Sequence, residues 1–281
     1  IARGGSLIEL LVGIALRSIA NGTEVAIFEY GKPSARQCRA YAAAVRAIPP
    51  MSTPLEKMQL FERFMYLDAV TQMPKGGFAE EPEFKGKSPD EIRKALDFET
   101  ILRIGNPWFD KLETALAVPK RGDREAALRQ FENDLRKARQ AAPPVNPVFK
   151  FFLEQGEPEK LRALTSKRVG IHFVSMFGPS VSRVDFASDR CRQQLHHGHI
   201  AAALAAYRDD QRKYPISLES LVPKYLEAVP NDVFSDKPPI YQKTDAGYLL
   251  YSVGENGKDD GGKLLTDEPR GDDIGIRMPR K

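Results

Sequence analysis

The chain has 281 residues, 42% of them hydrophobic and 28% charged, with 42 Lys and Arg against 38 Asp and Glu. This is the composition of a globular protein with room for one large core or two ordinary ones, and it excludes a disordered chain and a many-spanning membrane protein. A net charge of +4 over this length is too mild to imply a nucleic-acid partner, and the bases sit among nearly as many acids.

The chain begins at Ile1 rather than Met, as expected of a form without an upstream signal or anchor; any membrane attachment is expected before Ile1. Gly4-Gly-Ser-Leu-Ile-Glu-Leu-Leu-Val-Gly-Ile-Ala-Leu16 resembles the start of a type IV pilin, with Glu9 fifth after a cut behind Gly4. The apolar run meets Arg17 and ends by Asn21-Gly22. That is shorter than the roughly 20 apolar residues needed to cross a bilayer. A buried core helix is therefore expected here rather than a pilin stem.

Helical spacing of apolar residues continues to residue 30 and again over Ser34–Ile48, ended by Pro49-Pro50. Thr53 is placed to cap a helix with Pro54 at its first position. Its Leu55, Met58, Leu60, Phe61, Phe64, Met65, Leu67 and Val70 read as a core stripe. Ser88-Pro-Asp-Glu91 has the form of a helix start, with helices expected over 89–104, 107–118 and 122–141. More are expected near 148–154, 157–176 and 180–213. Trp108 is expected to pack between helices. This part reads as an all-α array without a fixed repeat.

Catalytic motifs are absent: no Gly-rich phosphate loop, Gly-x-Ser-x-Gly, Cys-x-x-Cys or His-Glu-x-x-His occurs. Glu62, Asp68 and Asp110 lie on otherwise apolar helices, where a pair of buried acids would supply acid–base chemistry and surface ion pairs are the plainer reading. His196 and His199 share a helical face suited to a metal if a third ligand arrives; a solvated polar face is the plainer reading. Cys38 and Cys191 are either one disulfide or two buried thiols.

From about Cys191 onward the landmarks are closely ordered. Leu204-Ala-Ala-Tyr207 lies on a helix that stops at Tyr214-Pro215. Ser217 opens a short helix, and Pro230–Pro239 is a turn-rich connector. Strands are expected at Ile240–Lys243, Tyr248–Ser252 and Ile274–Arg277. Between the last two lies the loop Glu255-Asn-Gly-Lys-Asp-Asp-Gly-Gly262, followed later by Asp272-Asp273. This order resembles the globular domain of the major pseudopilins of type II secretion systems, over about a third of the chain. The resemblance implies a long helix packed on a short antiparallel sheet, an extracytoplasmic place in a bacterium, and calcium in the loop. Its side-chain ligands would be Asn256, Asp272 and Asp273, with the carbonyls of Val253 and Lys258. Asn256 stands where the family has Asp, and Asp259 or Asp260 could restore the missing charge. A solvated loop without an ion is the alternative.

The fold expected is thus mainly α: an all-α domain over 1–179 and a pseudopilin-like α+β domain over 180–281. The function expected is a non-enzymatic, extracytoplasmic interaction protein with protein partners. The alternatives are a component of a type II secretion or pilus-type assembly, and an enzyme or ligand-binding protein with its site among the helices.

Overall fold

The structure, a computed structural model, describes residues 5–75, 88–142 and 158–279. Gly4, most of the polar stretch after Lys75, Pro143, Pro144, Pro147 and the helix expected near 148–154 lie outside the described residues. The chain is mainly helical, with one three-stranded antiparallel sheet near the C-terminus.

The helices are α1 (Leu7–Tyr30), α2 (Ala35–Arg46), α3 (Pro54–Lys57), α4 (Arg63–Gln72), α5 (Pro89–Ala95), α6 (Phe98–Leu116), α7 (Arg121–Ala141) and α8 (Pro158–Gln211). Ser34, Thr53 and Ser88 each cap a helix in a reciprocal capping box, with Gln37, Glu56 and Glu91 as the returning side chains. The strands are β1 (Ile240–Lys243), β2 (Tyr248–Ser252) and β3 (Ile274–Met278), in the order β1-β2-β3.

Two compact units result, and the division does not fall at 179/180. Among the described residues, one unit holds 8–52 together with 186–279, and the other holds 5–7 and the described part of 53–185. Residues 8–52 join the C-terminal module because Val25 and Phe28 of α1 belong to its core. There they meet Ile200–Leu204 of α8, Leu218, Leu221, Tyr248, Leu250, Ile276 and Met278. The Ala35 N–H at the start of α2 donates to the Asp209 carboxylate at 2.8 Å. Both thiols of this unit are buried and unpaired with each other: Cys38 Sγ lies 3.8 Å from the Pro33 carbonyl and Cys191 Sγ 3.9 Å from Met51 Sδ.

Helix α1 differs from expectation. It runs 24 residues through Asn21-Gly22. Its most apolar 18-residue window has mean hydropathy 1.4, and only 22% of that window is buried. It is thus long and apolar enough to cross a membrane by length and composition, and it is buried on one side only, through Leu7, Leu10, Ile14, Val25 and Phe28. Asn21-Gly22 fails to break it because Arg17 reaches Glu24 across the next two turns, at 2.7 and 3.2 Å.

In the second unit, a π-helical turn over Met58–Glu62 joins α3 to α4. The extra residue per turn rotates the face that follows. Met58, Tyr66 and Val70 are therefore buried, while Leu60, Phe64 and Met65 of the expected core stripe are exposed. The helix break falls at Leu96-Asp97 rather than before Pro107, which lies inside α6. Asp97 is held out of the helix by its N–H, which donates to Ser166 Oγ at 2.7 Å. Trp108 packs edge-on to Phe131 with ring centroids 5.8 Å apart. Residues 176–180 likewise stay helical, so the two helices expected on either side of Gly178-Pro179 are the single α8.

Gly105 of α6 faces the ring of Tyr66, whose hydroxyl donates to the Ile101 carbonyl at 2.6 Å. A Cβ there would lie 2.2 Å from Tyr66 Cζ. Gly105→Ala is expected to lower stability by about 1–3 kcal/mol, the usual cost of overpacking a core, read as a lower urea midpoint at unchanged slope.

Candidate metal centre

The acidic loop begins where β2 ends and closes where β3 begins, so both ends are tied into the sheet. β2 and β3 pair from Tyr248↔Met278 to Ser252↔Ile274. Two glycines permit the close path. Gly254 has φ +65, and a Cβ there would lie 2.2 Å from the Asp272 carbonyl; Gly262 has φ +73, and a Cβ there would meet Leu249 at 2.5 Å. Neither conformation nor contact suits a residue with a side chain. Arg277 of β3 braces the far side, pairing with Asp267 at 2.6 and 2.9 Å and donating to the Gly262 carbonyl at 3.2 Å.

Carboxylate oxygens of Asp260, Asp272 and Asp273 all lie within 4.8 Å of one another. Asp273 is 1% exposed. Its Oδ2 accepts from the Gly262 N–H at 2.9 Å, while its buried Oδ1 has no hydrogen-bond partner. Such an oxygen is costly to leave unsatisfied. Burial first, then the neighbouring Asp260, Asp259 and Asp272, push the Asp273 carboxyl up to about 6 against the pull of that N–H.

Of the residues singled out from the sequence, Asp260, Asp272 and Asp273 come together. Asp259 does not: its Oδ1 accepts from the Tyr251 hydroxyl at 2.9 Å and the Gly261 N–H at 2.8 Å. Asn256 sits against the acids with its amide nitrogen toward them, donating to Asp272 Oδ1 at 2.7 Å and Asp260 Oδ2 at 3.0 Å. Its N–H also donates to Asp272 Oδ2 at 2.8 Å. Its Oδ1 accepts from the Lys258 N–H at 2.5 Å. Val253 follows β2 half-buried, and Lys258 is exposed.

The histidines are not a solvated face. His197 is 1% exposed and shares a 2.8 Å hydrogen bond with Gln193; burial pushes its pKa down to about 3. His196 contacts the Asn231 carbonyl at 3.0 Å, whereas His199 Nε2 is buried without a partner, so the two do not converge on one point. Burial also lowers the pKa of both. The acids of the helical unit have separate employment. Glu62 accepts the Leu7 N–H at 2.8 Å, Asp68 accepts from Gln72, and the exposed Asp110 pairs with Arg63 at 2.9 Å.

The sequence reading missed Asp232. It is 2% exposed and accepts from Ser252 Oγ at 2.5 Å, Phe234 N–H at 2.9 Å and Ser235 Oγ at 2.8 Å. Its position in a Pro230-Asn-Asp turn was the available signal, since Asp in turns accepts from the backbone two residues on.

The raised Asp273 pKa has a signed consequence. A carboxyl held above its unfolded value binds more protons when folded, so without a cation its contribution is fullest in acid and is lost as the pH rises through about 6. In chelator, Asp273→Asn is expected to melt higher than the parent at pH 8 and to converge with it at pH 4–5, measured by thermal denaturation across pH.

No protein-family model, no curated protein and no solved structure matches this chain.

Proposed function

We propose that this protein is a non-enzymatic, extracytoplasmic interaction protein whose C-terminal part is a pseudopilin-like module with a calcium-stabilised loop. The observation that carries the reading is the convergence of Asp260, Asp272 and Asp273 around the unpartnered, buried Oδ1 of Asp273. A hard divalent cation satisfies that oxygen and relieves the repulsion among three carboxylates. Calcium fits such a loop better than magnesium, because it accepts irregular sets of six to eight oxygens whereas magnesium demands a near-ideal octahedron.

Asp260, not Asp259, supplies the charge that Asn256 lacks. Asn256 places its amide nitrogen between Asp260 and Asp272, where a positive donor is favoured; a half-turn of the amide would offer Oδ1 instead and release the Lys258 N–H. Carbonyls of the glycine-bearing loop and water complete the shell. Three carboxylates on a surface loop suit the weak class of site, with Kd about 10⁻⁴–10⁻³ M, found in extracellular modules. That affinity is consistent with an extracytoplasmic setting.

The order of α8, the short 3₁₀ turn Leu218–Leu221, β1, β2, acidic loop and β3 supports the module. Within this reading the loop is a structural brace: calcium joins the end of β2 to the start of β3 and holds the surface beside them in one form for a protein partner.

A ligand that binds only the folded state raises stability by about 2.7 kcal/mol at a hundredfold excess over Kd. Millimolar calcium is therefore expected to raise the melting temperature by several degrees over excess chelator. The rise should vanish in Asp272→Ala/Asp273→Ala and shrink in Asp260→Asn. It should also fade in the parent as the pH falls below about 6, where protons compete for Asp273. An unchanged melt together with no calcium in elemental analysis of the purified protein would remove the ion from the reading.

A further inference from the structure

The pair Asn-Gly occurs twice in this chain, at Asn21-Gly22 and at Asn256-Gly257. The chemistry such a pair carries is attack of the glycine backbone nitrogen on the side-chain amide carbon of the asparagine. Glycine favours it, because no Cβ crowds the nitrogen and the backbone turns freely. Closing the five-membered ring needs an amide carbon folded over the next peptide and an N–H that solvent base can reach. It also needs a backbone free to leave regular dihedrals.

Asn21-Gly22 lies inside α1. Ring closure there would pull its residues out of helical geometry and break hydrogen bonds of the turns on either side. Asn256-Gly257 lies in an exposed turn. Gly257 has φ +67, and a Cβ there would meet nothing within 4 Å. Its N–H has no hydrogen-bond partner among the described residues. Asn256 Oδ1 accepts from the Lys258 N–H at 2.5 Å, which folds the side chain forward over the Gly257 peptide. The same bond places a donor on the oxygen that gains charge when the amide carbon is attacked. Asp272 and Asp260 hold the amide nitrogen at 2.7 and 3.0 Å, so the reacting carbon is kept in one orientation.

We propose that Asn256 is a site of spontaneous deamidation, through a cyclic imide with Gly257, which gives the acidic loop a fourth carboxylate. In the first step the bond from the Gly257 nitrogen to Asn256 Cγ forms and the Cγ–Nδ2 bond breaks. The Gly257 amide proton passes through solvent to the departing ammonia. In the second step water adds to the imide. Opening at Cγ restores the Gly257 peptide and leaves aspartate at position 256. Opening at the main-chain carbonyl leaves an isoaspartyl link, with the chain running through Cβ and Cγ. Water is the co-reactant, ammonia is released, and nothing is oxidised or reduced.

The aspartate product changes the loop with a sign that depends on the cation. Asn256 now donates to Asp260 and Asp272. A carboxylate in its place removes both donors and adds a negative charge beside Asp260, Asp272 and Asp273, so the metal-free loop loses stability. A divalent cation reverses the balance, since each added carboxylate strengthens an oxygen ligand set. The consequence for calcium rests on the reading under Proposed function; the modification itself does not.

The test is peptide mapping by mass spectrometry of the full chain, kept for days at mildly alkaline pH and physiological temperature, native and in guanidinium chloride. In the native protein Asn256 is expected to lose its amide progressively while Asn21 keeps it. In denaturant, where α1 is gone, both are expected to react. Asn256→Gln, which must close a larger ring, should stay unmodified. An Asn256 that keeps its amide in the native protein overturns the proposal, whatever it does in denaturant. Equal loss at Asn21 in the native protein overturns the role given to the turn.

The more acidic product is then separated by ion exchange and melted beside the fresh chain and Asn256→Asp. In chelator, the aspartate product and Asn256→Asp are expected to melt below the fresh chain. In calcium they are expected to show the larger rise, with affinity roughly tenfold tighter. Amide loss with no calcium response in any of the three sinks the calcium reading and leaves the modification standing. A response in the fresh chain that neither product exceeds removes the fourth ligand from the proposal.

Discussion

The unit formed by residues 8–52 and 186–279 depends on a run of small side chains in α8. Ile200, Ala201, Ala202, Ala203, Leu204 and Ala206 are all 4% exposed or less, so the helix is buried on every side over this stretch. A helix this apolar all round must be covered all round. Alanines allow that, because neighbours approach without large side chains between them. Val25 and Phe28 of α1 share this core with the sheet residues Tyr248, Leu250, Ile276 and Met278. Ala35 and Cys38 of α2 pack on Ala206. A large residue at Ala201 or Ala202 would push several elements outward at once, and interiors packed at crystal density do not absorb that locally.

From this core a chain of polar contacts sets where the acidic loop starts. Gln193, fully buried on α8, joins His197 on one side and accepts the Val233 N–H at 2.8 Å on the other. The turn held there contains Asp232, which grips Ser252, the last residue of β2. Each link is hydrogen-bonded, and Gln193, His197, Asp232 and Ser252 are buried, so losing one partner would strand another. His197 fits this network as a neutral group: deep burial outweighs the nearby Asp232, and its pKa is low. The histidine cluster therefore belongs to the scaffold of the loop.

Local signals in the sequence were legible where a short stretch decides the outcome. Thr53-Pro54 and Ser88-Pro89 mark helix starts because their capping partners lie three residues away. The strands at Tyr248–Ser252 and Ile274–Met278, and the acidic loop between them, were legible from apolar runs set off by Gly and Asp. What the sequence hid was decided at long range. Asp97 leaves the helix because Ser166, 69 residues away, takes its N–H. The π turn at Met58–Glu62 cannot be read from periodicity, since it shifts the period itself. The choice between Asp259 and Asp260 was also invisible: adjacent acids differ only because Tyr251, on the neighbouring strand, captures one of them.

Helix α1 shows why apolar runs mislead when read for burial alone. Composition ranks Ile8, Leu16 and Ile19 as core and Arg17 and Glu24 as surface; the structure reverses both assignments. Tertiary context outweighs the residue scale because Arg17 and Glu24 neutralise each other across two turns of the same face, with Tyr41 and Asn21 close by. Once a pair is that well enclosed, removing one member strands a charge, whereas exposing an isoleucine only forgoes a modest gain. The fold of this unit therefore fixes the polar side of α1 first. Its other side, from Ile8 to Tyr30, is left exposed, and the burial of those side chains is forgone.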